Sequence, residues 1–487
     1  MGALVTGWLA AGCPAVSSDR LPLATLLDSA IATHGGSTEL GARGPVEFRL
    51  DGDRVMIDQS RRADPPWDPE PSHVWIVADP ARGRWMYQTS NSYPGLGPFA
   101  GRRVIGTPRS FEIDPVGSGH GSEIMPLEAG DSTATRESLA RYVPGLYLEV
   151  VRSRLGTARE LASASGRRSV EFTGPAGQPV RVHLVERPWR LSSVASTRPD
   201  ELYGEVTDSA EFVGSHDVAG LLVPERLIEY ANGAVSRELT YRVRTAVVAD
   251  SLFTVPTDYH WPEAGHGAHH MPPADTAPLV RVARGVFVHQ ATGTMIVEFS
   301  DHLVAFDCPN DSTTSAATIA AATARLGQKP FRYLIASHTH PDHCGGARGY
   351  YARGATLIAA AGHGAFFRRL ARTGAASIEP LAPGARRVLE DGHQRVVIYN
   401  VGPSPHSVET VIGYLPEQRL LWQVDLFLVP MTGSGAPRRP VTDWLAGEIT
   451  RLGLDVGWII DTHTGMVYPR SRFNAALGGD DRARRSP

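Results

Sequence analysis

Six consecutive residues, His338-Thr339-His340-Pro341-Asp342-His343, bring three imidazoles and a carboxylate to the end of the apolar run FRYLIAS (331–337). Left unpaired behind a buried strand, such groups cost roughly several kcal/mol in desolvation, so the cluster is a poor packing solution. Two positions apart in extended chain, His338 and His340 point the same way and can grip one ion. Pro341 bends the backbone, which lets Asp342 and His343 face a second position. Neutral imidazole and carboxylate form a ligand set for zinc and other borderline divalent metals. The residues therefore point to metal-assisted chemistry.

The elements around this cluster predict an α/β domain over residues 278–477. VFVHQ (286–290), TMIVEF (294–299) and HLVAFD (302–307) read as short strands, and Thr313 to Leu326 as an Ala-rich helix stopped by Gly327. VVIYNV (396–401), VIGYLP (411–416), LLWQVD (420–425) and VGWIID (456–461) are further strands, with a helix from about Val441 to Leu452. The polar end, 478–487, reads as a disordered tail.

Residues 18–260 have a different texture. A helix is expected from Leu21 to His34, stopped at Gly35-Gly36. VEFRL (46–50), Asp51-Gly52 and VMIDQ (55–59) read as one β-hairpin, and VWIVAD (74–79) with RWMYQTS (84–90) as a second. Glu137 to Arg154 is expected to be helical with a break at Pro144-Gly145. Four more strand-like runs lie between residues 170 and 248, so the half should form a large, mostly antiparallel sheet. No catalytic motif appears in it, and it is expected to fold as a unit without metal. Residues 261–277, rich in Pro, Gly, Ala and His, read as the linker, and His266, His269 and His270 as solvated linker residues.

Composition narrows the classes. The chain has 487 residues, 42% hydrophobic and 20% charged, which is material for two or three domains. Forty-eight basic residues against fifty-one acidic give a formal charge of −3, without a basic field for nucleic acid or anionic lipid. No nucleic-acid partner is expected. Cys13, Cys308 and Cys344 are too few to staple such a chain, so burial must hold it together. No run approaches the ~18 apolar residues of a transmembrane segment. Residues 1–17 read as a signal segment, because Leu9-Ala10-Ala11-Gly12-Cys13 resembles the cleavage box of a bacterial lipoprotein. Export to the periplasm or anchoring at the membrane is the expectation.

HxHxDH after a hydrophobic strand, with Asp307 ending an earlier one, resembles the metallo-β-lactamase superfamily. The resemblance covers about 195 residues and implies an αββα sandwich. It also implies three further ligands at strand ends, for which His406, Asp425 and His463 stand in order, at gaps of 63, 19 and 38 from His343 onward. By that resemblance His338, His340 and His406 hold a first metal, Asp342, His343 and His463 a second, and Asp425 bridges them. Two zinc ions per chain are implied. An Asp at the bridging place resembles thioesterases and lactonases rather than the cysteine-bearing lactamases. The implied activity is hydrolysis of an ester-like bond in a small molecule (lactone, thioester, ester or β-lactam) by a metal-bound hydroxide, with Asp342 as the catalytic residue orienting the nucleophile. The competing readings are a mononuclear iron thiol dioxygenase of the same fold, and a ligand-binding protein with a structural metal. Asp307 is expected to orient the ligand loop, Cys344 to be a small buried residue, and His363 to lie apart from the site. The close of the β-rich half, Ser251 to Pro256, weakly resembles lipoprotein-carrier-like domains.

Overall fold

The computed structural model describes residues 21–117, 121–162, 166–174, 177–245, 248–262, 273–371, 377–430 and 437–478. The segment 1–17, the linker histidines and all but the first residue of the tail lie outside the described residues. Among those described, no helix is long and apolar enough to cross a membrane.

The first half is built on a thirteen-stranded antiparallel sheet, in which Val46–Val55 pairs with both Pro69–Asp79 and Ala234–Thr245, and His216–Val218 and Leu221–Val223 form a separate two-stranded ribbon. Helices Leu23–His34 and Pro144–Ser153 pack on one of its faces through Leu26, Leu27, Leu146 and Leu148. The break expected near Pro144 is there: the preceding helix is Ala129–Ala140, and Pro144 begins the next. A proline fits a first helical turn because its missing N–H would go unused there.

One expected turn is corrected. Asp51-Gly52 does not reverse the chain; Val46–Val55 runs straight through it. Gly52 serves a close approach instead, since a Cβ there would sit 1.9 Å from the Glu238 carbonyl oxygen. The reversal comes after Val55, so of VMIDQ only Val55 is strand and Met56 to Gln59 begin the loop 56–68. That loop is closed at its neck by Met56 N–H donating to Asp68 O at 3.0 Å.

The second half is an αββα sandwich. A seven-stranded sheet runs from Leu279–Ala283 to Ile378–Leu381, and a six-stranded sheet from Arg386–Glu390 to Met466–Pro469. Strands buried on both faces read as continuous apolar runs. In Leu303–Phe306, Val304 and Phe306 enter the core between the sheets, whereas Leu303 and Ala305 face the helices outside. Phe306 meets Trp422 of the other sheet edge to face, with ring centroids 4.9 Å apart. Ser312–Leu326 and Gly364–Ala371 cover one outer face, Pro440–Arg451 and Arg470–Gly478 the other.

His34 ties helix to sheet in the first half. Its Nδ1 donates to Leu222 O at 2.8 Å and its Nε2 accepts from Leu191 N–H at 3.0 Å. Burial, opposed by the Leu222 hydrogen bond, lowers its pKa to about 4. The folded chain thus keeps His34 neutral where the unfolded chain begins to bind a proton near pH 6.5. Stability should be full above that pH and fall towards pH 4, by about 3 kcal/mol in total from this residue. Denaturant midpoints measured across pH 4–7 should show a shallower slope in His34→Gln, and an unchanged slope would count against the assignment.

Candidate metal centre

The seven candidate ligands lie at strand ends on one edge of the sandwich. Phe331–Ile335 delivers Ser337 to His343, Arg395–Gly402 leads to His406, Leu420–Gln423 to Asp425 and Trp458–Asp461 to His463. They fall into two groups whose ligand atoms lie within 4.8 Å of one another: His338, His340, His406 and Asp425, and then Asp342, His343 and His463.

In the first group the outward-facing ring nitrogens decide what the inner ones offer. His406 Nδ1 donates to Pro94 O at 2.8 Å, and His340 Nε2 donates to Ser60 O at 2.8 Å. Ser337 Oγ gives its proton to Asp307 Oδ2 at 2.9 Å, so it accepts from His338 Nδ1 at 3.0 Å. Each neutral imidazole with its proton outside presents a lone pair inside. Those three inner nitrogens face one another, His338 Nε2 at 2.8 Å and His406 Nε2 at 3.1 Å from His340 Nδ1. Asp425 Oδ2 completes the group, 3.3 Å from His338 Nε2 and 3.1 Å from His406 Nε2. Four buried electron donors aimed at one another repel unless a cation stands among them. These residues fit a metal.

The second group is more open. His343 Nε2 is buried without a well-formed hydrogen bond, 3.0 Å from Asp425 Oδ2 and 3.5 Å from Asp342 Oδ2. Its Nδ1 faces Asp307 Oδ2 at 3.2 Å. His463 Nε2 lies 2.6 Å from Asp425 Oδ1, and Asp461 accepts the His463 backbone N–H at 3.0 Å. Asp425 therefore stands between the groups, with one oxygen near His463 and the other near His338, His343 and His406. It adopts a φ of 60°, as Asp307 adopts 58°; both strand ends turn sharply to aim a carboxylate inward.

His338 and His340 of the first group are shifted in the opposite direction to His343 and His463 of the second. Burial lowers the His338 pKa to about 3, and burial with its His338 and His406 neighbours drives His340 well down. Burial also works to lower His343 and His463. There the carboxylates outweigh it, Asp342 and Asp425 for His343 and Asp425 for His463, and both pKa values rise. Asp425 is held well below the usual carboxylate range by His343, His463 and His406, against the burial that would raise it.

Asp307 lies behind the ligands, accepting from Ser337 N–H at 2.8 Å as well as from Ser337 Oγ. Cys344 is fully buried, and Thr464 Oγ1 lies 3.5 Å from Asp461 O. His363 is buried, with neither ring nitrogen in a hydrogen bond, and belongs to neither ligand group. Beside the second group opens a cavity of ≈ 120 Å³ lined by Thr292, Asn310, Asp342, His343, Thr462 and His463.

Sequence reasoning missed the part played by the β-rich half. Ser60 and Pro94, whose carbonyls fix His340 and His406, belong to it, as does Gln59, whose Nε2 donates to Asp342 Oδ1 at 2.8 Å. Two of these act through backbone oxygens, which every residue carries, so no residue type could have marked them.

Residues 297–439 match the family model of the metallo-beta-lactamase superfamily, and the second half has that fold. No curated protein matches the sequence significantly. Among solved structures, the chain is similar to the metallo-beta-lactamase FIM-1 from Pseudomonas aeruginosa in its mono-zinc form, at 19% identity and a TM-score of 0.33, covering 44% of this chain and 99% of that one. A metallo-beta-lactamase from Pontibacter korlensis is 15% identical with a TM-score of 0.34, over 43% of this chain and 100% of that one. The inverting sec-alkylsulfatase Pisa1 from Pseudomonas sp. is 16% identical with a TM-score of 0.33, over 42% of this chain and 40% of that one.

Asp307 supports both the strand end bearing His338 and the ring of His343. Asp307→Asn keeps the shape but turns a donor towards groups that need an acceptor. Metal affinity, measured by competition with a chromophoric chelator, should fall about 10–100-fold. Wild-type affinity in that variant would remove Asp307 from the site.

Proposed function

We propose, from a domain of the metallo-beta-lactamase fold, that this protein is a dinuclear-metal hydrolase cleaving an ester-like bond in a small molecule. The observation that carries the reading is the set of three imidazoles whose protons are all committed outward, leaving three buried lone pairs and the Asp425 carboxylate converging. His338, His340 and His406 would hold one zinc, Asp342, His343 and His463 another, with Asp425 between them. A divalent metal held there would supply Lewis acidity towards an acyl oxygen and towards water, whose pKa can fall to roughly 7 on such a centre.

The chain's own residues do the rest. Asp342 is the half-open carboxylate of the set: one oxygen accepts from Gln59, and the other faces His343 and the cavity. Asp342 is thereby placed both to hold the second metal and to orient an attacking water by accepting its hydrogen bond. Thr292, Asn310 and Thr462 line the cavity in which the reacting bond would lie. The cavity admits the scissile group alone, since sites for drug-sized ligands begin near ~300 Å³. The remainder of the substrate must then lie on the surrounding loops, where lactones, thioesters, esters and β-lactams would be told apart.

A dioxygenase of this fold needs one iron and no second group. Asp342, His343 and His463 gathered within ligand distance of one another favour the hydrolase. So does the cavity, because a purely structural metal would have closed ligation.

Elemental analysis separates these readings before any substrate is known. Wild type should carry two zinc ions, Asp425→Ala should lose occupancy of both, and His463→Ala should mainly lose the second. Hydrolysis of whichever ester-like substrate a screen identifies should fall by at least ~10²-fold in both variants. One iron per chain in wild type, with His463→Ala unchanged, would sink the hydrolase.

A further inference from the structure

The loop 56–68 of the β-rich half reaches the metal centre with three consecutive residues. Gln59 Nε2 donates to Asp342 Oδ1 at 2.8 Å, Ser60 O accepts from His340 Nε2 at 2.8 Å, and Arg61 O accepts from Val408 N–H at 3.0 Å, two residues beyond His406. A loop that only packed against its neighbour would have no reason to aim successive polar groups at two different metal ligands and the chain beside a third.

It is also braced from within. Asp68 Oδ2 accepts from Ser60 Oγ at 2.5 Å and from Arg61 N–H at 2.8 Å, while Asp68 Oδ1 pairs with the Arg61 guanidinium at 2.9 Å. Ser60 Oγ in turn accepts from Asp68 N–H at 2.9 Å. With the neck closed between Met56 and Asp68, the loop holds its shape by its own hydrogen bonds.

A second loop of the same half docks beside it. Gly95, at a φ of 71°, lies so close to the other half that a Cβ would fall 2.7 Å from Pro405 and 2.8 Å from Val441. The Arg439 guanidinium donates to Leu96 O and covers the Phe99 ring at 4.7 Å. The Pro94 carbonyl on His406 is thus fixed by an interface in which even one methyl group has no room.

We propose that the metal centre is built by both halves of the chain, and that Gln59 is a positioning residue which holds Asp342 for the second metal. The amide occupies Oδ1 and leaves Oδ2 towards His343. Without it the half-exposed carboxylate is free to rotate into the cavity or solvent. Outer hydrogen bonds of this kind typically carry 10–100-fold in metal affinity. The proposal rests on the dinuclear reading, and its effect is confined to one ion: Gln59 touches a ligand of the second group only, whereas the Asp68 brace supports both Gln59 and the Ser60 carbonyl on His340.

Cobalt(II) titration of the metal-free full chain, followed by visible absorption, reads the two ions stepwise. Wild type should take up two. Gln59→Met, of similar volume but without a donor, should bind the first cobalt within about twofold of wild type and the second about 10–100-fold more weakly. Its metal-free melting temperature should match wild type. Asp68→Ala should weaken both ions. Equal stepwise affinities in wild type and Gln59→Met would overturn the proposal and leave the dinuclear reading standing. Loss of both ions together with a lowered metal-free melting temperature in Gln59→Met would also overturn it, as a merely structural role. Wild type binding a single cobalt would instead bring down the dinuclear reading, and this proposal with it.

Discussion

Three imidazole lone pairs pointed at one another inside a protein are a debt that only a cation discharges, and most of what surrounds them makes that arrangement unavoidable. A ring free to swap tautomers would turn an N–H inward and relieve the repulsion. Here the outward partners forbid it: Ser337 for His338, Ser60 for His340 and Pro94 for His406. Ser337 is in turn committed by Asp307, which also faces His343. The sandwich contributes by ending its strands at the right places. Phe306 and Trp422 lock the two sheets together, one residue before Asp307 and three before Asp425, so the carboxylates start from rigid points.

What could be read from the sequence follows the range over which the chemistry acts. The cluster from His338 to His343 was legible because its members are neighbours in the chain and periodicity alone gives them direction. His406, Asp425 and His463 came through resemblance, since nothing local in Pro405-His406-Ser407 marks a ligand. The break at Pro144 was legible because proline's missing N–H acts within one turn. Gly52 was misread for the converse reason. Its dipeptide carries turn chemistry, but the glycine answers to Glu238 on a neighbouring strand, a partner far away in sequence. That one misreading also hid the loop 56–68, since VMIDQ taken as a strand places Gln59 on a sheet and not over Asp342.

The division of labour between the halves was the larger surprise in physical terms. A half without a catalytic motif can still be necessary to a site when its contribution is made by peptide carbonyls. A carbonyl fixes an imidazole tautomer as well as a carboxylate does, without adding a charge that would pull the ring towards its protonated form. That choice suits the first group. An anionic partner on the outer nitrogen of His340 would favour imidazolium, and an imidazolium is no ligand. Behind the more open second group stands Asp307 instead, where His343 already lies among carboxylates.

The same contacts decide on which side the centre is open. The loop 56–68 and the turn at Pro94 lie against His340 and His406, so the first-group side is covered by the β-rich half. The cavity opens on the other side, between Thr292, Asn310 and His463. The cavity therefore lies beside the second group, where, among the described residues, Asp342 is the candidate ligand that accepts from a side chain of the β-rich half. A loop braced by Asp68 and aimed at that carboxylate thus reaches the cavity through Asp342, which lines it. Changes in the β-rich half that move this loop therefore act on the cavity through the one carboxylate that Gln59 holds.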